Sequence, residues 1–535
     1  MKGRYSPRRF GRAAVALAAL SLLFGVAITP AAQARTDAGK AAAPHRGGTL
    51  TIRNMGAPDC LDPQKTALGP SNLVDATILN SLVDVDTKGN IVPDLATSWK
   101  VSKGGTRIVF HLRHGVKFSN GDPFTANAVK FTFDRAVKPS TKSPVTGSNL
   151  SEVKNTKVVN KYTVQVNLKE PFRPLLDYFL VTSYGYVGIL DPKATKREGA
   201  KSCQDPIGTG PYKVQSVGPS YSSVTVVPNK YHTWAPSWVK NKGLPYISKI
   251  VFQSITNDAT AISELISGDV DISNVPGAQL NRVKNNKNIA VRKQSIGNLE
   301  ALSFNFNHAP FNNLQVRRAV AELMDRSAMV KAALGGIGSA VYGPLPKTIP
   351  FYDKAAAKLM PKYNPTDAAK IISANHATGP YTLLCINDPQ DTTTAQVIQT
   401  AAAQAGMQIK INSVAIADYV ADANKGDFDM YLLPWGYSDA DILYTILDPT
   451  QGNGAGLNFT NYSNPTLTKA IDAGRATLNP KKAAADYARA QVFINKNLIM
   501  LGLYTQTGLA GIRSRVGGWH INKFAQVAWQ DLYIK

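Results

Sequence analysis

The chain is poor in cysteine, in acid and in long apolar runs. Three of its 535 residues are cysteine: Cys60, Cys203 and Cys385. The 36 acidic residues stand against 60 Lys and Arg, a formal net charge of +24. After residue 28 no apolar run is long enough to span a bilayer. No G-x-S-x-G, H-E-x-x-H or C-x-x-C occurs, so the usual hydrolase and dithiol motifs are missing. Ser151-Glu152-Val153-Lys154 fits S-x-x-K, but no K-T-G or S-D-N accompanies it. His111 and His114 lack a third ligand nearby, so no metal site is expected. No cofactor is implied, and no enzyme is expected. The basic residues are scattered and no basic-aromatic motif is present, which argues against nucleic acid. Such a charge would still draw the protein to an anionic cell envelope.

What is present begins with an export signal. Lys2, Arg4, Arg8, Arg9 and Arg12 precede the apolar stretch 13–28. Pro30 ends that stretch, and Ala32-Gln33-Ala34 is a small-residue cleavage site. Residues 1–34 are therefore expected to be a signal peptide and 35–47 a flexible leader. Arg8-Arg9-Phe10 leaves the twin-arginine route open beside the general one. No cysteine lies near the cleavage site to carry a lipid. Export permits a disulfide. Cys385 sits in an apolar run where a free thiol is ordinary, so Cys60 and Cys203 are the expected pair.

A chain of this length exceeds one hydrophobic core and should form two or more domains. Hairpins are expected over 83–92 and 97–112, and a helix over 126–137. A single long helix is expected over 313–334, a strand over 269–272 and another near 528–534. From residue 381 the pattern becomes strand, helix, strand, helix, strand: 381–386, 392–405, 408–414, 417–424 and 428–433. That order predicts parallel strands with helices across them. The last strand empties into Trp435-Gly436-Tyr437-Ser438-Asp439-Ala440-Asp441. Rings, a glycine and carboxylates at a strand's carboxyl end suit a small-molecule pocket. The plain alternative is a capping box, with Ser438 as N-cap and Asp441 three positions into a helix.

Several runs together resemble one family. They are Pro93-Asp94-Leu95-Ala96-Thr97-Ser98-Trp99 with Val116-Lys117-Phe118-Ser119-Asn120-Gly121, then Asp205-Pro206-Ile207-Gly208-Thr209-Gly210-Pro211-Tyr212, Gly268-Asp269-Val270-Asp271, Met324-Asp325-Arg326, Gly426-Asp427-Phe428-Asp429 with Trp435, and Tyr462-Ser463-Asn464-Pro465. In this order they are similar to the family 5 extracellular solute-binding proteins of ABC importers, the oligopeptide- and dipeptide-binding type. The resemblance covers about 48–535. It implies an α/β, two-lobed, periplasmic-binding-protein-like fold with three subdomains and an interlobe ligand cleft. Lobe I would comprise 48–80, 183–298 and 512–535, subdomain II 81–182 and lobe III 299–511, with hinges near Asn298 and Ile512.

The implied function is capture of a solute, an oligopeptide or dipeptide first of all, and its delivery to a membrane permease by a monomer. Peptide binders of the family carry an Asp three residues after this Trp, for the ligand's amino group. Here Ser438 stands there, with Asp439 next and Asp441 beyond. A non-peptide solute therefore remains open: an oligosaccharide, an opine-like conjugate or a chelated metal. From other classes, an exported hydrolase or an envelope-binding protein also remains open. The candidate ligand-binding residues are Trp435, Tyr437, Ser438, Asp439, Asp441, Thr66, Leu68 and Asn298, with Glu300 beside the last.

Overall fold

The computed structural model describes residues 44–535, apart from 180–185, 296–297, 437–438 and 455. The expected signal peptide and most of the leader lie outside the described residues. Among the described residues no helix is long and apolar enough to cross a membrane.

The strand-helix alternation read from residue 381 is present. Tyr381–Ile386 and Ile409–Val414 pair in parallel, and Met430–Gly436 lies parallel on the other edge of the first. The crossovers are the helices Pro389–Gln404 and Ile416–Lys425. Asp388 starts the first of these, accepting the N–H of Gln390 and Asp391 at 2.8 and 2.9 Å. Pro389 fills the first helical position, where no N–H is needed. Gly426 ends the second helix at φ 78°, a left-handed turn that a side chain would strain.

The sheet continues antiparallel through Asn298–Phe304 to the long strand Met500–Arg513. Alternate residues of these strands face two helical layers. Leu302, Phe304, Met430 and Leu432 enter one core, and Ala301, Tyr431, Leu433 and Trp435 the other. Each large aliphatic side chain so buried contributes roughly 1.5–3 kcal/mol.

The long strand changes partners along its length. From Met500 to Tyr504 it pairs with Asn298–Phe304, and from Tyr504 to Gln506 with Gly338–Ala340. From Thr507 to Arg513 it pairs with Ile289–Ser295, and Ala510 to Ile512 pair with Ile272–Asn274. The sheet then runs on through Thr49–Asn54, Lys249–Ser254, Ser223–Pro228 and Tyr212–Val217. The chain thus passes between the two halves of the sheet at Gln506–Thr507, level with Ser295. Ile512, near which the sequence suggests the hinge, lies inside the pairing of the first half. The strand is apolar on both sides of the crossing, so its sequence does not mark the change of partner.

A separate four-stranded antiparallel sheet is ordered Ala96–Ser102, Arg107–Leu112, Thr163–Leu168, Val153–Asn160. Its core holds Phe110, Phe118, Phe133 and Phe179. Charged contacts bind this body to the first half. Arg135 Nη2 donates to Asp62 Oδ2 at 2.6 Å, and Trp238 Nε1 to Asp84 Oδ2 at 2.8 Å.

Three local expectations are corrected. The single helix over 313–334 is two, Leu314–Leu323 and Arg326–Leu334. Asp325 breaks it, because its carboxylate caps the second helix through the N–H of Ser327 and Ala328 at 3.1 and 3.0 Å. Arg326 then turns inward and donates to the carbonyls of Val341 and Gly502. The strand over 269–272 falls later, at Ile272–Asn274. The final segment is a helical turn, Trp529–Asp531, followed by the two-residue strand Tyr533–Ile534.

Candidate functional site

Met430–Gly436 carries Trp435 into the core shared with Leu299 and Leu433. Its indole Nε1 is buried and has no hydrogen-bond partner among the described residues. Tyr437 and Ser438 lie outside the described residues. The turn ends at Asp439 and Asp441, both buried, and their surroundings differ from the open pocket that the sequence suggests.

Asp439 is held by Arg173 of the small four-stranded body. Nη1 donates to Oδ2 at 2.9 Å and Nη2 to Oδ1 at 2.5 Å, a two-pronged ion pair. The guanidinium also lies 4.9 Å from the Phe351 ring centre and 5.5 Å from that of Tyr487. Burial works against the charge on Arg173, but Asp439 holds its pKa above the ordinary arginine value. Asp441 takes Arg475, whose Nε stands 2.7 Å from Oδ1. It also accepts from Tyr178 at 2.8 Å and Tyr487 at 3.3 Å. Burial raises the Asp441 carboxyl, against the pull of Arg475. Arg475 is itself stacked against Tyr444, 3.3 Å from the ring centre.

The capping-box alternative is not realised as drawn. The helix Ile442–Leu447 begins directly after Asp441, whose side chain makes no capping bond. Asp439 instead accepts the Asp441 N–H at 2.9 Å. Two arginines and two phenols give the carboxylates stronger partners than a helix end would. Sequence reasoning missed Arg173, Arg475 and Tyr178. The one local signal was Pro171-Phe172-Arg173-Pro174, an arginine fixed between prolines after a strand.

The other candidates are spread over both halves. Thr66 is buried, with Oγ1 donating to Asp59 at 2.5 Å and accepting the Leu68 N–H at 3.0 Å. Leu68 is exposed, just before the helix Gly69–Ile78. Asn298 stands at the crossing between halves, where its Oδ1 accepts from Thr505 Oγ1 and the Gln506 N–H, each at 3.1 Å. Cys60 and Cys203 form a disulfide, and Cys385 is a buried free thiol. His114 stacks on Tyr162 at 4.0 Å between ring centres. Among the described residues no group of three His, Cys, Asp or Glu could hold a metal.

Beside Asn298, Glu300 is buried opposite Pro434 and Tyr504, with the side chains of Asp391 and Gln390 against its carboxyl group. Burial, with Asp391 as a like-charged neighbour, pushes its carboxyl well above the usual range. Burial and then Asp388 raise Asp391 from 3.8 to about 7. Both acids therefore bind protons more tightly folded than unfolded. The stability of the fold then falls as pH rises from the unfolded value of 3.8 toward about 7. Glu300→Gln is expected to gain on the wild type across that window, by roughly 1–3 kcal/mol. Urea midpoints at about pH 5 and about pH 7.5 check this, and an equal difference at both would sink the account.

One α/β sheet handed between two halves by adjacent strands, with a smaller body docked beside it, defines a two-lobed binding protein. The chain belongs to family 5 of the bacterial extracellular solute-binding proteins, whose middle region it matches over residues 90–455. It is 26% identical over 494 residues to the probable D,D-dipeptide-binding periplasmic protein DdpA of Escherichia coli K12, covering 88% of this chain and 91% of that one. Its fold resembles the periplasmic binding protein DppA of Helicobacter pylori in complex with the peptide STSA. There the TM-score is 0.78 at 23% identity, over 92% and 98% of the two chains. It also resembles AgaA of A. tumefaciens R10 in complex with agropinic acid, with a TM-score of 0.77 at 24% identity over 91% and 99%. Proteins of this family bind a solute and serve an ABC importer; they are binders, not enzymes.

Proposed function

We propose that this protein captures a peptide or peptide-like solute outside the cytoplasm and passes it to an ABC permease. One observation carries the reading: the family match and the relatedness to a dipeptide binder extend along nearly the whole two-lobed chain. The solute would lie between lobe I (48–80, 183–298 and 512–535) and lobe III (299–511), with 81–182 as subdomain II. Trp435, Tyr437, Ser438, Leu68, Thr66 and Asn298 would border it. Residues 1–34 would direct export, and the chain would act as a monomer. Its basic charge would keep it near an anionic envelope.

A second reading is favoured by the arginines on Asp439 and Asp441. With both carboxylates engaged, the turn offers no free acid to an ammonium group. An amino-blocked peptide or an opine-like conjugate suits that turn better than a free dipeptide. The test is a thermal-shift and native mass spectrometry panel of free dipeptides, amino-acetylated dipeptides, glutathione and opines. A saturable rise in melting temperature with free or blocked peptides is expected. No response to any member would remove the reading, and a response to opines alone would favour the second.

A further inference from the structure

The first half holds a separate cavity of about 520 Å³, lined by Pro44, Lys240, Asn241, Tyr246, Gly518, Trp519, His520, Asp531 and Tyr533. Its size falls within the range of small-molecule sites. Three half-buried rings, Tyr246, Trp519 and Tyr533, form its apolar surface. Tyr246 and Tyr533 meet edge to face, with centres 6.2 Å apart. The walls are fixed by close backbone approach. A Cβ on Gly518 would stand 1.8 Å from the Asp531 carbonyl, and one on Gly517 would strike the Tyr533 ring at 2.3 Å. Only glycines let that ring lie across the strand end.

The charge around this cavity is one-sided. Asp531 is its single acid, and that carboxylate is consumed within the fold. It accepts the N–H of Lys240 at 2.9 Å and of Asn241 at 2.5 Å, and stands 3.0 Å from His520 Nε2. The Lys240 side chain is exposed at the rim, and among the described residues no carboxylate lies within ion-pair distance of it. Lys242 and Arg46 stand close by, hydrogen-bonded to backbone carbonyls of 236–245, with Asp531 acting on Lys242 through space. Ring faces with neighbouring donors accept the carbon-bound hydrogens of a pyranose, and unmatched cations accept an anionic substituent.

We propose that this cavity is a second binding site, for an acidic saccharide, outside the solute-binding region. It takes a sugar ring against Trp519 and Tyr246, with the ligand's carboxylate or phosphate at Lys240. Such a site would give the envelope association proposed above a defined location, in place of a diffuse charge effect.

The experiment titrates the mature chain with trigalacturonic acid, with a phosphorylated sugar and with neutral maltotriose, reading Trp519 by fluorine-labelled tryptophan resonances. Saturable shifts with one or both acidic probes, and about tenfold weaker binding of maltotriose, are expected. The responding acid tells carboxylate from phosphate. Trp519→Ala and Lys240→Glu should each weaken the acidic probe about tenfold or more. The thermal shift given by the dipeptide, acetylated dipeptide, glutathione or opine that responds in the panel above should stay unchanged. Lys240→Glu alters an exposed side chain, so it keeps the test valid if Trp519→Ala fails to fold. Equal binding of neutral and acidic probes, an unaltered affinity in Lys240→Glu, or no saturation by about 10 mM would overturn the site.

Discussion

Replacing Arg173 by alanine should cost this protein about 3–5 kcal/mol, because it strands the buried carboxylate of Asp439 without a cation. The side chains of Arg173 and Asp439 are only 13% and 3% exposed, so solvent cannot take over the lost contact. Breaking one side of such a pair costs more than the pair is worth, since the remaining charge keeps its desolvation penalty. Arg173→Ala with Asp439→Asn should therefore recover a large part of the loss. Chemical denaturation of the four members of that cycle measures the coupling. A single-variant loss under about 1 kcal/mol would mean that the pair behaves as a surface bridge and that this account is wrong.

The same contact has a mechanical meaning. Arg173 and Tyr178 belong to the small body that Arg135 and Trp238 join to the first half. Their partners Asp439 and Asp441 belong to the other half. These bonds bridge the two halves away from the crossing strands, where they favour one arrangement of the halves over another. If closure on solute is a rotation about the crossings, Arg173→Ala should also raise the radius of gyration in small-angle scattering and speed solute release.

Much of the architecture was legible from local pattern. The β-α-β-α-β unit and the hairpins each rest on residues close together in the chain. The site was less legible, because its chemistry is made by distant partners. Asp439 meets Arg173 across 266 positions, and nothing in either neighbourhood names the other. Rings and acids in one turn therefore read as an open pocket, when the acids belong to the joint between bodies. The helix break at Asp325 was hidden for a different reason. Apolar periodicity continues through it, and only the choice of a carboxylate to cap rather than to face solvent divides the helix.

Loss of the Cys60–Cys203 disulfide should be the other large effect. The bridge spans a sequence separation of 143, and closing a loop of that length removes about 5 kcal/mol of unfolded-chain entropy. It also fastens the segment that carries Thr66 and Leu68. Leu61 N–H donates to the Cys203 carbonyl at 2.8 Å, and Ser202 Oγ lies 3.4 Å from Asp62, the partner of Arg135. A Cys60→Ser, Cys203→Ser variant should thus unfold at markedly lower urea and, if the proposed contacts Thr66 and Leu68 border the solute, bind it more weakly. Cys385 serves as the internal control. Burial pushes its thiol up to about 11, so alkylation in the native state should be slow in both proteins. Faster Cys385 labelling in the double variant at zero urea would report more frequent opening. An unchanged urea midpoint would show that the remaining contacts of this segment close the loop without the covalent bond.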